Sequence, residues 1–198
     1  VSTAEALPPL DAIIAGLAVD VPDFPEPGVV FRDLTPVFAD GPAFRRMVEG
    51  LAAPALVDPR AAAVAHTDDG PSGDPGFDVV VGVEARGFLL AAAVALHAGV
   101  GVVPVRKAGK LPRARISADY ALEYGTATIE MHTDSLRPGQ RVLLVDDVLA
   151  TGGTLAAAVA LVEELGGVVT AVSVAIELAA LGGRQRIAPH AVHALWTT

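Results

Sequence analysis

The 198-residue chain contains no cysteine. That excludes disulfides, thiol catalysis and cysteine-ligated metal sites together, and points to a reducing, cytoplasmic setting. Aromatic residues make up only 5%, which argues against a stacking platform for nucleic acid. Basic side chains are also scarce, 14 Lys and Arg against 23 Asp and Glu, for a formal charge of -9. A nucleic-acid or anionic-membrane surface needs the opposite excess, so neither is expected as a partner, and any anionic ligand must be met locally. The first basic residue is Arg32; the N-terminal stretch therefore lacks the positive start of a signal or transit peptide and reads as part of the fold. The longest apolar stretch, 89–105, is broken by His97, two glycines and Pro104. It falls short of the roughly 18 unbroken apolar residues of a membrane span.

What is present is a globular composition, 52% hydrophobic, enough to bury a core in a single domain spanning 1–198. Leu7, Leu10, Ile13, Ile14 and Leu17 recur at helical spacing and predict a helix over 3–18, after which Pro22, Pro25, Pro27 and Gly28 force a loop. A second helix is predicted over 41–57, and residues 65–76, dense in Gly, Pro, Ser and Asp, read as an exposed loop. From Asp78 onward, apolar runs at 79–83, 100–105, 141–147, 168–177 and 191–196 alternate with helical patterns near 86–98 and 153–165. Continuous apolar strands alternating with helices predict a doubly wound α/β fold whose sheet is mostly parallel and covered on both faces. Residues 106–128 are too polar for a core and read as a flap or small subdomain. In such folds ligands collect at the carboxyl ends of the strands.

The sharpest motif is VLLVDDVLATGGTL at 142–155: a buried strand, two adjacent carboxylates, then a small-residue loop opening a helix. Gly152 and Gly153 let backbone N–H groups approach a ligand, while Thr151 and Thr154 add hydroxyls at a helix N-terminus that already favours an anion. No G-x-x-x-x-G-K-[ST] and no complete G-x-G-x-x-G occurs, which disfavours nucleoside triphosphatases and dinucleotide-dependent dehydrogenases. Asp146 and Asp147 would repel a triphosphate tail but suit a pair of sugar hydroxyls. The pattern thus fits ribose 5-phosphate, with the phosphate in the loop and the diol on the aspartates. The bland alternative is a strand-to-helix turn whose aspartates cap the helix.

This strand, acidic pair and loop resemble the signature of the type I phosphoribosyltransferases, which bind 5-phosphoribosyl-1-pyrophosphate (PRPP) there. FPEPGVVFRDLTPVF at 24–38, VGVEARGFLLAAAVAL at 81–96, VPVRKAGKLP at 103–112 and YALEYGTATIEMH at 120–132 are similar to the adenine-using branch of that family. The resemblance runs from about Phe24 to Arg186. It implies the type I phosphoribosyltransferase fold with a flexible flap at about 106–128, and transfer of phosphoribosyl from PRPP to N9 of adenine, giving AMP and pyrophosphate. It also implies a homodimer, and Mg2+ bound mainly through PRPP and pyrophosphate oxygens. No metal-ligand set is read from the sequence itself, and His66, His97, His132, His190 and His193 are scattered.

The chemistry needs cations around departing pyrophosphate. Five of the 14 basic residues fall between 106 and 115. Of these Arg106, Lys107 and Lys110 are expected at the pyrophosphate, and Arg113 and Arg115 on a solvated loop. Arg86, where strand 79–83 gives way to a helix, is expected at the pyrophosphate or base, with Glu84 orienting it and Phe88 in the core. Asp146, Asp147, Ala150, Thr151, Gly152, Gly153 and Thr154 form the expected PRPP and AMP site. By resemblance, Val30, Arg32 and Leu178 belong to the adenine pocket, and Glu123 and Tyr124 to a flap that closes over PRPP and excludes water. Glu123 is the general acid/base candidate. Two departures from the family pattern stand out: the insertion before strand 79–83, and Ala108 in place of a frequent proline, expected to loosen the flap. Two other readings stay open: a phosphoribosyltransferase for a 6-oxopurine or orotate, and a PRPP-sensing regulator without catalysis.

Overall fold

The computed structural model describes residues 8–24, 26–53, 74–121 and 125–198. Helix α1 (Leu10–Leu17) precedes a two-stranded antiparallel hairpin of β1 (Val19–Pro22) and β2 (Val30–Asp33), then α2 (Thr35–Ala39) and α3 (Gly41–Ala52). A βαβ unit follows: β3 (Val79–Val83), α4 (Arg86–Ala98) and β4 (Gly101–Lys107). Next come the hairpin β5 (Arg115–Ala121) and β6 (Thr126–His132), then β7 (Arg141–Leu149), α5 (Gly153–Glu164) and β8 (Val168–Glu177). A short 3-10 turn, α6 (Gly183–Ile187) and β9 (Val192–Thr197) complete the described chain.

The main sheet has seven strands in the order β5-β6-β4-β3-β7-β8-β9. Its five strands from β4 to β9 are parallel, whereas β6 and β5 add an antiparallel edge. Alternate residues of one strand serve opposite faces, as the period of two requires. Val80, Leu143 and Val145 pack with α1, α3 and α4, whereas Val79, Val81, Val142 and Leu144 pack with α5. The start of β7 is tied to the start of β3 by buried Arg141, which donates to Asp74 and Asp78 at 2.8 Å each.

The predicted mostly parallel, doubly wound sheet is therefore present, and α4 and β8 carry their predicted bounds. The first helix is described only as Leu10–Leu17, residues 1–7 lying outside the described residues. The second is described to Ala52, and most of the insertion at 65–76 also lies outside. The described part of 106–128 joins the main sheet through β4, β5 and β6. In edge strand β5, Ile116, Ala118 and Tyr120 face inward between exposed neighbours, the alternation of a strand with one wet face. Among the described residues no helix is long and apolar enough to cross a membrane.

Candidate active site

Strands β3 and β7 are neighbours, yet the chain leaves β3 toward β4 and β7 toward β8 on the opposite side. Such a reversal opens a crevice at the strands' carboxyl ends. Two helix starts border it, α4 at Arg86 and α5 at Gly153. The two sides are pressed together at Gly87, where a Cβ would stand 2.8 Å from Asp146 Oδ1 and 3.1 Å from the Val145 carbonyl.

On the β7 side, Gly152 precedes α5 with φ 78° and no side chain caps the helix. The aspartates are therefore not helix caps, and the first N–H groups of α5 face the loop Ala150–Gly153 unclaimed by side chains. Gly152 has a second reason to be glycine: its Cβ would stand 2.6 Å from the Gly183 carbonyl oxygen. The loop thus packs on the start of α6, a partner far along the chain.

Asp146 and Asp147 are both buried. Asp146 Oδ1 accepts the Asp147 N–H at 2.8 Å. Burial first, and the neighbouring Asp147 charge second, push the Asp146 carboxyl well above the ordinary aspartate range. Asp147 Oδ2 lies 2.6 Å from Arg86 Nε, a charge contact without an aligned hydrogen bond. The Arg86 guanidinium also lies over the Phe31 ring at 4.6 Å, so one arginine bridges the acidic pair and the hairpin loop.

Beside this bridge is a cavity of about 530 Å³. Val29, Val30, Phe31 and Arg32 line one side, Val148, Ala150, Ile176, Leu178 and Leu181 another, with Arg86 and Asp147 toward the acidic pair. Val30, Arg32 and Leu178, distant in sequence, thus share one wall system. Leu178 is held by its N–H to the Leu149 carbonyl at 2.9 Å, and next to it buried Glu177 binds Arg184 at 2.9 and 2.5 Å. Phe31, Ile176 and Leu181 were not anticipated. Phe31, between the two predicted base-loop residues, carried the only local signal.

The basic segment is shaped by two carboxylates. Glu84 accepts the Lys107 N–H at 2.9 Å and lies 3.5 Å from Arg106 Nε. Expected to orient Arg86, Glu84 instead orients the end of β4, because β3 and β4 are paired in register at Val83 and Val105. Buried Glu130 accepts the Gly109 N–H at 3.0 Å and pairs with Arg115 at 2.9 Å. Arg115 is therefore an anchored residue rather than part of a solvated loop. Arg113 pairs with exposed Asp134. Lys107 and Lys110 keep exposed side chains, and Arg106 donates to the Lys110 carbonyl at 3.2 Å. Ala108 donates its N–H to the Thr128 carbonyl at 3.0 Å, a tie for which proline has no donor; it adds a hydrogen bond to the segment it was expected to loosen. Phe88, expected in the core, is half-buried and belongs to neither apolar cluster.

Glu123 and Tyr124 lie outside the described residues. The described end of β5 nevertheless reaches the loop: a Cβ at Gly153 would stand 3.3 Å from the Ala121 carbonyl and 3.4 Å from the Tyr120 ring. Among the described residues, no group of three or more His, Cys, Asp or Glu side chains could hold a metal ion.

Comparison with known proteins matches the chain to a family. The phosphoribosyl transferase domain model matches residues 54–189, the greater part of the chain. An adenine phosphoribosyltransferase of Salinispora arenicola is 56% identical over 184 residues, covering 93% of this chain and 89% of the relative. The crystal structure of adenine phosphoribosyltransferase from Thermoanaerobacter pseudethanolicus superposes with a TM-score of 0.83 at 41% identity, covering 94% of this chain and 99% of that one. The Saccharomyces cerevisiae enzyme, solved with adenine and an imino-altritol bisphosphate, gives a TM-score of 0.80 at 34% identity over 94% and 98% of the two chains. With the acidic pair, the uncapped loop and the apolar cavity meeting at one crevice, and with relatives this similar over nearly their whole length, the chain belongs to the phosphoribosyltransferase family and, within it, to the adenine phosphoribosyltransferases.

Proposed function

We propose that this chain transfers the 5-phosphoribosyl group from PRPP to N9 of adenine, giving AMP and pyrophosphate, and so recovers free purine base. The observation that carries this reading is the apolar cavity lined by Val30, Arg32 and Leu178 opening onto Asp147 and Arg86. A flat apolar base and a charged sugar phosphate need such adjoining sites. The 5′-phosphate is assigned to the N–H groups and hydroxyls of Ala150, Thr151, Gly152, Gly153 and Thr154, and the ribose hydroxyls to Asp146 and Asp147.

Pyrophosphate leaves the ribose C1 as the bond to N9 forms, so negative charge grows on the leaving group while the ring becomes cationic. Arg86, Arg106, Lys107 and Lys110 are assigned to the leaving group. Charge compensation there is local, since the chain as a whole is acidic. Glu123 is assigned as the general acid/base at the purine and Tyr124 to the flap that excludes water, with the whole chain working as one domain. Mg2+ is assigned as part of the Mg–PRPP substrate, where it would neutralise pyrophosphate charge. The hard carboxylate oxygens of Asp146 and Asp147 suit water-mediated contact with such an ion.

A magnesium-dependent assay offering PRPP with adenine, guanine, hypoxanthine and orotate separately tests the reading. AMP formed from adenine alone is the expected result. Turnover of another base without adenine would overturn the base assignment, and PRPP binding with no turnover would favour a sensor.

A homodimer is also proposed. Helix α4 exposes Leu89 and Leu96, the latter 84% exposed, and neighbouring β4 exposes Val102; a second copy would cover this apolar face. Leu96→Glu is expected to shift the protein from dimer to monomer in light scattering, and an unchanged dimer would move the interface elsewhere.

A further inference from the structure

The hairpin that carries the base loop has little hydrophobic anchorage. All four residues of β1 are exposed, and Phe24, Val29 and Val30 are exposed around its turn. Segments with few buried apolar contacts are the ones that move, yet a pocket that selects one flat base needs its wall held to a fraction of an ångström. Polar ties supply the anchorage. Asp20 stands opposite Arg32 in the β1–β2 register. Its carboxylate takes the guanidinium side-on, with Arg32 Nε donating to Oδ1 at 2.7 Å and Nη2 to Oδ2 at 3.2 Å. The same guanidinium lies 4.6 Å from the centroid of the Trp196 ring on β9, and β9 is paired to β8, the strand that leads to Leu178.

We propose that Asp20 and Trp196 are positioning residues for purine recognition: acting through Arg32, they clamp the base loop to the main sheet and set the spacing between Val30 and Leu178. This rests on the adenine reading of the cavity. It gives Arg32 a defined division of labour. Nε and Nη2 are spent on the clamp, Nη1 is buried without a hydrogen-bond partner, and what Arg32 presents to a purine is its backbone and the wall it forms. Planar bidentate pairing and stacking on an indole are geometries that guanidinium satisfies and ammonium does not, so the clamp specifies arginine here.

The clamp also provides its own reporter, because Trp196 is the only tryptophan in the chain. Asp20→Asn keeps the side chain's shape while removing its charge. It is expected to raise the KM for adenine roughly tenfold, to leave the KM for PRPP and kcat within about twofold, and to shift Trp196 emission. Asp20→Glu restores part of the adenine affinity. Because exposed ion pairs add little stability, the melting temperature should move by no more than about 2 °C; Trp196→Phe, which keeps a ring under the guanidinium, gives a second and smaller rise in adenine KM. Equal loss for both substrates together with a lowered melting temperature would reduce the clamp to a structural tie and overturn the proposal, as would an unchanged adenine KM. The wild-type base assay is run first: failure to use adenine overturns the functional reading itself, whereas normal wild-type turnover with an unchanged Asp20→Asn variant overturns only the clamp.

Discussion

Asp147→Asn is expected to lower kcat/KM for PRPP by about 100-fold while the protein stays folded. A charge-assisted hydrogen bond contributes about 1.5–3 kcal/mol, against roughly half that for a neutral one, and the substitution also releases Arg86 from its partner at 2.6 Å. Thr151→Ala removes one neutral hydroxyl and is expected to cost about tenfold. Steady-state kinetics at varied PRPP measures both, and unchanged PRPP dependence in the two variants would remove the sugar phosphate from this loop. Stability should respond with a definite sign. The Asp146 carboxyl is raised by burial and by the Asp147 charge. The folded protein therefore holds a proton that the unfolded chain releases near pH 4. That contribution is fully present below the unfolded value and is lost as pH rises through the folded one. Removing the Asp147 charge lowers the folded value. The stability of Asp147→Asn relative to wild type should therefore rise as pH is raised from the ordinary aspartate range to neutrality. Thermal melts across that range check it, and a difference that shrinks with pH would contradict the buried acidic pair.

Gly152→Ala should damage both the site and the fold. Residue 152 has φ 78°, which costs a non-glycine residue about 1 kcal/mol. Its Cβ would also stand 2.6 Å from a backbone oxygen and 3.0 Å from a Cα of Gly183. Backbone cannot rotate aside as a flexible side chain can, so either the loop or α6 must move. The expected loss of stability is about 2–4 kcal/mol, and the drop in PRPP-supported turnover about 1,000-fold, since displaced N–H donors no longer converge on one anion. Gly139→Ala is the control: φ is 79°, but nothing lies within 4 Å of its Cβ, so it should lose about 1 kcal/mol with turnover intact. Urea unfolding and kinetics on the two variants separate backbone strain from collision, and equal behaviour would mean that the Gly183 contact does not matter.

Most of the sheet was legible because each parallel strand is a local run of apolar residues. VVVGV at 79–83 and RVLLVDDVL at 141–149 are buried almost throughout, and their neighbours in sequence are helices whose spacing is equally local. The two antiparallel hairpins were not anticipated. β1 is exposed at every position and β5 at every second one, so their residues read as polar loop. The phosphate loop was legible as a whole because strand, acidic pair, glycines and helix start are contiguous. The base pocket was reached only through resemblance: Val30 and Leu178 are far apart in the chain, and a lone leucine carries no chemical signal.

By itself the sequence determined the doubly wound core, the place of the anion-binding loop and the inventory of charges around it, since periodicity and contiguity are properties of short stretches. Only the tertiary structure decided which charge meets which: Glu84 with Arg106 and not Arg86, Arg86 with Asp147 and Phe31, Arg115 with buried Glu130, and Arg32 with Asp20 and Trp196. Those partners follow from strand order and register, which bring distant segments within a few ångströms, and the strength of an ion pair depends on that distance and on burial rather than on separation along the chain.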